Sequence, residues 1–336
     1  MLRLVLAFLA VVVLAVAAAF VFGPRVAIDT TVRFDAPSIG PDPDLWLAEN
    51  EAKVAGLRPG LAKEIVWAYP ASRARTPLAI VYVHGFSASK GEIRPVPDIV
   101  AETLGANLFY TRLAGHGGDG AAMAEASVND WVNDFAEAMA IGRLLGEKVV
   151  VIATSTGASL ATWAAAQPEL SRDLAGLVVI SPNYGVQAAG AWLLTMPFGR
   201  QIAELVIGRE RGFPPINEAH GRLWTTRYPT AATLPMQAAS ELAYGAPVER
   251  IGVPALFIFS DADRVVQPER TREIAARWGG PAETMLVEGS DDSSNHVIAG
   301  DALSPSTTTL VAERIIQWIG QWAGQWAGQS IGSATR

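Results

Sequence analysis

The stretch Val149-Val-Val-Ile-Ala-Thr-Ser-Thr-Gly-Ala-Ser-Leu-Ala-Thr-Trp163 decides the fold prediction. Its first part is apolar on both faces, which is typical of a buried strand, and the residues after Ser155 suit a helix. Ser155 therefore lies at a strand-to-helix bend. Nucleophilic serines occupy such bends within G-x-S-x-G, although Ala153 here replaces the first glycine. The alternative is that Ser155 only caps the helix, a position that favours serine.

Similar apolar runs of strand length recur on both sides of this stretch, with longer amphipathic segments between them. The predicted strands are Glu64–Tyr69, Leu78–Val83, Asn107–Thr111, Val149–Thr154, Gly176–Ser181, Ala255–Ser260 and Glu283–Val287. The predicted helices are Pro95–Leu104, Val128–Leu145, Thr156–Ala166, Glu269–Trp278 and a last one from about Thr307. This alternation predicts an α/β fold with a doubly wound, mostly parallel sheet.

One long interval, Asn183–Gly252, contains no clear strand and reads as a helical cap inserted into the core. The cap, residues 183–252, would divide the core into residues 63–182 and 253–328. Its large apolar residues either line a cleft or pack the cap on the sheet; they are Trp192, Leu193, Leu194, Met196, Phe198, Trp224 and Met236. Residues 26–62, rich in Pro, Asp and Gly, predict a linker with one short helix, and residues 329–336 a tail.

Residues 1–25 are dominated by an apolar run, Leu4–Phe22, that carries no charged or polar side chain. As a helix this run spans about 28 Å, close to the thickness of a bilayer core. It predicts an N-terminal transmembrane helix, or a signal helix cleaved after Ala15-Val16-Ala17. We expect a membrane-anchored protein with its catalytic domain outside the cytoplasm, or a secreted one if the helix is cleaved.

The composition excludes several classes of function. The chain has 336 residues, half of them apolar, a net charge of −7 and no cysteine. The negative charge and the lack of a basic tract argue against a nucleic-acid partner. The absence of cysteine excludes thiol catalysis, Cys-ligated zinc and disulfides.

A short repeat near the C-terminus places Trp318, Trp322 and Trp326 four residues apart. On a helix these tryptophans form one stripe. The stripe predicts docking of the last helix on the body, or contact with a membrane surface.

Four groups that could carry chemistry each follow a predicted strand. His84-Gly85-Phe86-Ser87 follows the second strand, Ser155 the fourth, Ser260–Val266 the sixth and His296 the last. Because parallel strands end at the same sheet edge, we expect these groups to meet. The chain order Ser, Asp, His is that of the α/β-hydrolase triad.

The motifs resemble those of the monoglyceride lipase and carboxylesterase branch of the α/β hydrolases, also described as serine-aminopeptidase-like. They are His84-Gly85-Phe86, Thr111 to Gly117 ending Gly-His-Gly, Asp130-Trp131, Ser260 to Val266, and His296. The resemblance covers roughly residues 76–318. It implies the α/β-hydrolase fold and a serine hydrolase of carboxylic esters that needs no cofactor and no metal.

The resemblance assigns the catalytic roles. Ser155 would be the nucleophile, His296 the general base, and Asp263 the acid that orients His296, with Asp261 as its competitor. The backbone N–H groups of Phe86 and Thr156 would form the oxyanion hole. His84 and His116 would brace the site. Asp291 and Asp292 suggest a solvated loop, or an ion site.

The predicted substrates are small esters or lipid-like molecules such as monoacylglycerols and lysolipids. Two other functions stay open: amide or peptide hydrolysis by the same triad, and a catalytically silent scaffold of the cell envelope. The departures at Ala153, Thr156 and Ala158 bear on substrate range more than on reaction type. The sequence does not indicate an oligomeric state.

Overall fold

The computed structural model describes the backbone of residues 1–333 and the side chains of residues 1–322. In chain order the strands are β1 Glu64–Val66, β2 Thr76–Val83, β3 Asn107–Tyr110, β4 Gly146–Thr154, β5 Leu174–Ile180, β6 Glu210–Gly212, β7 Arg227–Pro229, β8 Ala255–Phe259 and β9 Ala282–Leu286. The helices are α1 Leu2–Phe22, α2 Pro43–Glu51, α3 Val96–Leu104, α4 Gly120–Glu125, α5 Val128–Leu145, α6 Ser155–Ala165, α7 Gly199–Ile207, α8 Glu218–Leu223, α9 Thr233–Tyr244, α10 Pro268–Arg277 and α11 Pro305–Ser333.

Seven strands form one sheet in the order β1-β3-β2-β4-β5-β8-β9, with only β1 antiparallel. All seven lie where the apolar runs predicted them. The middle strands β2, β4 and β5 are almost wholly buried because helices cover both faces of the sheet. The predicted doubly wound, mostly parallel sheet is confirmed.

Two apolar clusters, one on each face of the sheet, form the core. One cluster joins the sheet to α5, α6, α9 and α10, and includes Trp131 and Phe135. The other joins it to α3 and α11, and includes Val100 and Trp318. Burial of these large side chains supplies most of the driving force for folding.

The insertion between β5 and β8 differs from the predicted helical cap in two ways. It contains the two-stranded sheet β6–β7, whose three-residue strands are too short and exposed to leave a sequence pattern. Its last helix, α9, packs on α6 inside the main core, with Met236 buried there. The segment before α9 is only partly embedded, because Trp224 is buried in the second apolar cluster whereas the last residues of α7 are exposed.

The segment predicted as a linker is part of the body. It holds α2, the one short helix expected, and buries Ile39 and Leu47 in the main core. Glu51 at the end of α2 pairs with Arg112, their closest atoms 2.7 Å apart. These contacts fasten residues 39–51 to the loop after β3, so the segment does not behave as a free connection.

The two termini are both helical. α1 has a mean hydropathy of 3.2 and no buried residue, so it is long and apolar enough to cross a membrane. A signal sequence has the same length and composition. At the other end, Trp318 of α11 is fully buried and Trp322 packs partly against the same cluster, as the docking interpretation predicted. The third tryptophan, Trp326, and the side chains of the predicted tail lie outside the described residues.

Candidate active site

Ser155 occupies a sharp bend between β4 and α6. Its backbone φ is +50°, in the left-handed region that residues other than glycine seldom adopt. The capping position of α6 belongs to Thr154, which is extended and makes no side-chain capping bond. The alternative that Ser155 merely caps the helix is therefore wrong. The bend turns the Ser155 hydroxyl toward the sheet edge.

The bend is possible only because small residues surround it. A Cβ on Gly157 would lie 2.5 Å from the carbonyl oxygens of both Val83 and His84, so glycine is required there. Ala153, on the other side, is fully buried between its strand neighbours Val83 and Val179. A methyl group fits where the usual pattern has glycine, which explains why the incomplete motif still makes the bend.

His296 stands between Ser155 and Asp263. Its Nε2 lies 3.1 Å from Ser155 Oγ and its Nδ1 lies 2.8 Å from Asp263 Oδ2. All three residues are less than 10% exposed. The carboxylate holds the Nδ1–H tautomer, which leaves Nε2 free to accept the serine proton.

The structure also distinguishes between the two candidate acids, Asp263 and Asp261, because they have different partners. The second oxygen of Asp263 accepts the backbone N–H groups of Val265 and Val266, at 2.7 and 2.9 Å. Asp261 points away and forms an ion pair with Arg272 at the surface. Of the two candidates, Asp263 is the one whose carboxylate meets the His296 ring, and it is the one that the sequence motif favours.

The loop that carries His296 is organised by Asp292. One Asp292 oxygen accepts the backbone N–H groups of both His296 and Val297, each at 3.0 Å. Burial raises the pKa of Asp292, but the hydrogen bonds from Ser294, Val297 and His296 outweigh it and hold the pKa below its ordinary value. Asp292 is buried, so the expectation of a solvated pair is wrong for it, while the exposed Asp291 accepts the Ser306 N–H at 2.8 Å.

The charged groups around His296 raise its basicity. Burial alone lowers its pKa, but the charge and hydrogen bond of Asp263, with smaller contributions from Glu92 and Asp292, leave the pKa above its ordinary value. A raised pKa means that the imidazolium, which forms when Ser155 loses its proton, is stabilised.

The turn predicted to supply the oxyanion hole lies directly against the serine. A Cβ on Gly85 would lie 3.0 Å from Ser155 Cβ. Phe86 follows in this turn, and Thr156 is in the first turn of α6, where backbone N–H groups have no partner within the helix. Within the described part of the chain, neither N–H donates to another protein group.

His84 and His116 brace that turn. Nε2 of His84 accepts the Leu113 N–H at 3.1 Å, and Nε2 of His116 accepts the Ser87 N–H at 3.0 Å. Burial lowers the pKa of His84 well below its ordinary value and that of His116 to about 4, so both rings are neutral acceptors near neutral pH. Their position agrees with the bracing role that the sequence suggested.

Glu92 is a member of the site that the sequence did not reveal. This buried carboxylate accepts the Gly85 N–H at 2.7 Å and the Tyr82 hydroxyl at 2.9 Å. Tyr82 lies in turn 3.3 Å from the hydroxyl of Thr154, beside the nucleophile. One network therefore joins the oxyanion turn to the serine bend. No motif marks Glu92, because its partners are set by the fold.

The family model described as the alpha/beta hydrolase family matches residues 80–302, about two thirds of the chain. The chain belongs to the alpha/beta hydrolase family.

Individual relatives agree with this assignment. A thermostable monoacylglycerol lipase of Bacillus sp. (strain H-257) is 29% identical over 195 residues, which are 57% of this chain and 73% of that protein. A structure from the study of the metagenome-derived lipolytic enzymes LipS and LipT aligns with a TM-score of 0.65 and 22% identity, covering 79% of this chain and 99% of that one.

The monoacylglycerol lipase of Paleococcus ferrophilus aligns with a TM-score of 0.55 at 17% identity, covering 77% and 97% of the two chains. At such identities the structural likeness shows the fold alone. The prediction of a hydrolase of the lipase and esterase type is confirmed with the family.

Proposed function

We propose that this chain hydrolyses carboxylic esters through an acyl-enzyme formed on Ser155. The observation that carries the proposal is the continuous hydrogen-bonded series from Ser155 Oγ through His296 to Asp263. This arrangement is the one that activates a serine hydroxyl, which is a weak nucleophile on its own.

In the first half of the reaction, His296 takes the Ser155 proton at Nε2 as Oγ attacks the ester carbonyl. The Phe86 and Thr156 N–H groups donate hydrogen bonds to the developing oxyanion. Removing one donor of this kind typically costs about 10²–10³ in kcat. Collapse of the tetrahedral intermediate releases the alcohol, which receives the proton from His296, and leaves the acyl group on Ser155.

In the second half, water replaces the alcohol. His296 removes a proton from the water as it attacks the acyl carbon, and returns that proton to Ser155 Oγ when the acid leaves. Asp263 accepts the hydrogen bond from His296 Nδ1–H and stabilises the imidazolium in both halves. The mechanism uses side chains and backbone groups of this chain alone.

The substrate class we propose is a lipid-like ester, such as a monoacylglycerol or lysophospholipid. A relative named as a monoacylglycerol lipase supports this class, as do the exposed apolar residues of the insertion. The insertion packs against the oxyanion turn, because the Tyr228 ring centre lies 5.2 Å from the Phe86 ring centre and the Thr225 N–H donates to the Ser87 carbonyl at 2.7 Å.

We also propose that α1 is an uncleaved anchor that holds the catalytic domain at the outer face of a membrane. Its 21 residues span about 32 Å at 1.5 Å each, enough for a bilayer core. The complete exposure of this apolar helix supports the proposal, since such a surface is unfavourable in water.

The test of the proposed reaction uses the full chain in detergent with nitrophenyl esters of graded chain length. Replacing Ser155→Ala or His296→Ala should lower kcat by at least about 10⁴-fold, because the triad acts as one unit. Unchanged turnover in either variant would contradict the mechanism. An inactive parent would favour the scaffold function, and faster cleavage of matched nitroanilides would favour amide hydrolysis. Preference for long acyl chains selects lipase over esterase.

A further inference from the structure

The insertion exposes large apolar residues at one end. Leu205, Val206 and Ile207, the last residues of α7, are 87%, 73% and 44% exposed. Trp192 and Phe198 are 58% and 38% exposed in the segment that leads into α7. We name these five residues the cap patch. Side chains of this size and number are rarely left in water without a partner.

The end of α1 is fastened to the same segment. The Phe198 N–H donates to the Pro24 carbonyl at 2.7 Å. A Cβ on Gly23, the residue after α1, would lie 2.5 Å from the Phe198 ring and 2.9 Å from Pro197 Cβ, so the junction is tightly packed. Val26 then packs on the small apolar cluster under α7.

These contacts limit the distance between the cap patch and the end of the anchor. The nine residues of α7 begin directly after Phe198 and extend about 14 Å. The apolar end of α7 is therefore within about one helix length of the point where α1 ends. α1 itself does not cover the patch, because none of the α1 residues is buried.

The charges around the patch suit a lipid surface. Arg209 and Arg211 follow α7 directly, are exposed, and form no ion pair within the described residues. The chain as a whole carries a charge of −7, so two free guanidinium groups beside the apolar residues are a local exception. Apolar side chains next to Arg or Lys are typical of segments that lie in the headgroup region of a bilayer.

We propose that the cap patch inserts into the membrane surface beside α1, so that the insertion over the active site is docked on the bilayer. The occupant of the patch is lipid, with Arg209 and Arg211 facing the headgroups. The inference rests on the proposed membrane anchor but not on the proposed reaction. It also places the insertion, which packs against the oxyanion turn through Tyr228 and Thr225, at the surface from which a lipid ester would arrive.

The absence of cysteine makes a direct test possible, because one introduced cysteine can be labelled uniquely. The full chain carrying Val206→Cys is labelled with an environment-sensitive fluorophore and reconstituted into phosphatidylcholine–phosphatidylglycerol nanodiscs, with or without brominated acyl chains. The matched control is Leu310→Cys, on a residue that is 50% exposed on α11. Quenching at position 206 should exceed that at position 310 by about threefold or more if the patch reaches the acyl region.

A second variant keeps the experiment decisive. Adding Leu205→Glu and Ile207→Glu to the labelled Val206→Cys chain should return its quenching to the control level. Equal quenching at positions 206 and 310 overturns the docking, and so does excimer emission from pyrene at position 206, which would show a second copy on the patch. Failure of the chain to elute with the nanodiscs overturns the anchor and this inference with it, while leaving the ester-cleaving function untouched.

Discussion

The loops at the carboxyl ends of β2, β4, β8 and β9 form what we call the catalytic edge. The catalytic edge differs from the cap patch in how far its side chains are buried and bonded within the chain. At the catalytic edge Ser155, Asp263 and His296 are buried and bonded to one another. In the cap patch, Leu205 and Val206 are mostly exposed. The polar groups of the catalytic edge find their partners within the chain, so substitutions there should act through the catalysed reaction. Apart from Phe198, which packs against the end of α1, the side chains of the cap patch are mostly exposed. Substitutions of those exposed side chains should therefore act through what the patch binds.

The largest expected effect at the catalytic edge follows from Asp263→Asn. The amide no longer favours the Nδ1–H tautomer of His296, so kcat should fall by about 10⁴-fold with the fold intact. The matched control is Asp261→Asn, two residues away and paired with Arg272 at the surface, which should retain parental activity. Steady-state kinetics of both variants check the assignment, and the reverse ranking would move the acid to Asp261.

The serine bend should be the next most sensitive point. In Gly157→Ala the new methyl group would meet the carbonyl oxygens of Val83 and His84, which displaces Ser155. We expect kcat to fall by about 10²-fold or more and stability by about 1–3 kcal/mol. Ala153→Val should do the same, whereas Ala153→Gly should be tolerated. Kinetics with thermal unfolding test this; a fully active, folded Ala153→Val enzyme would show that the bend is not strained.

A smaller effect is expected at Glu92, which we propose as a positioning residue for the oxyanion turn. Burial raises the pKa of Glu92, against the hydrogen bonds from Gly85 and Tyr82 that lower it. The charge of ionised Glu92 helps to raise the pKa of His296, and Glu92→Gln removes that charge. Since His296 acts as a base only when neutral, activity is lost as pH falls through this pKa, and the variant should keep activity to lower pH. Its kcat should fall about tenfold through a looser turn. The pH profile of kcat/KM measures the shift.

The control for Glu92 is Glu288→Gln, an exposed carboxylate shortly before the His296 loop, which should leave the profile unchanged. A lower kcat in Glu92→Gln without any shift of the acidic limb would assign Glu92 a purely structural function.

The smallest effect on the folded protein is expected in the cap patch. Leu205→Glu alters a side chain that is 87% exposed, so the free energy of unfolding in detergent should change by no more than about 0.5 kcal/mol. Denaturant unfolding measures this. A loss of several kcal/mol would show that Leu205 is buried against the body, and the contrast between the two regions would fail.

The same contrast explains what could be predicted from the sequence. The strands were predicted because central parallel strands are apolar on both faces over their whole length, as in Val149–Thr154. The candidate triad was predicted because each member follows a strand, and parallel strands end at one edge. These signals are local, so they can be read without knowing which segments touch.

What could not be predicted depends on contacts between distant segments. Glu92 has no local signal, since its partners Gly85 and Tyr82 are brought to it by the turn after β2. The same holds for the packing of α9 on α6, within the predicted helical cap, and of residues 39–51 on the core, within the predicted linker. The cap patch is visible as apolar sequence, but only the Phe198–Pro24 contact relates it to the anchor.

The central claim is that Ser155 is the nucleophile, and covalent labelling tests it most directly. The full chain is treated with a fluorophosphonate and digested, and the modified serine is identified by mass spectrometry. The account predicts a single adduct on the peptide containing Ser155, with labelling slowed by at least about 10³-fold in His296→Ala because the base is absent. An adduct on another serine, or equally fast labelling without His296, would contradict it.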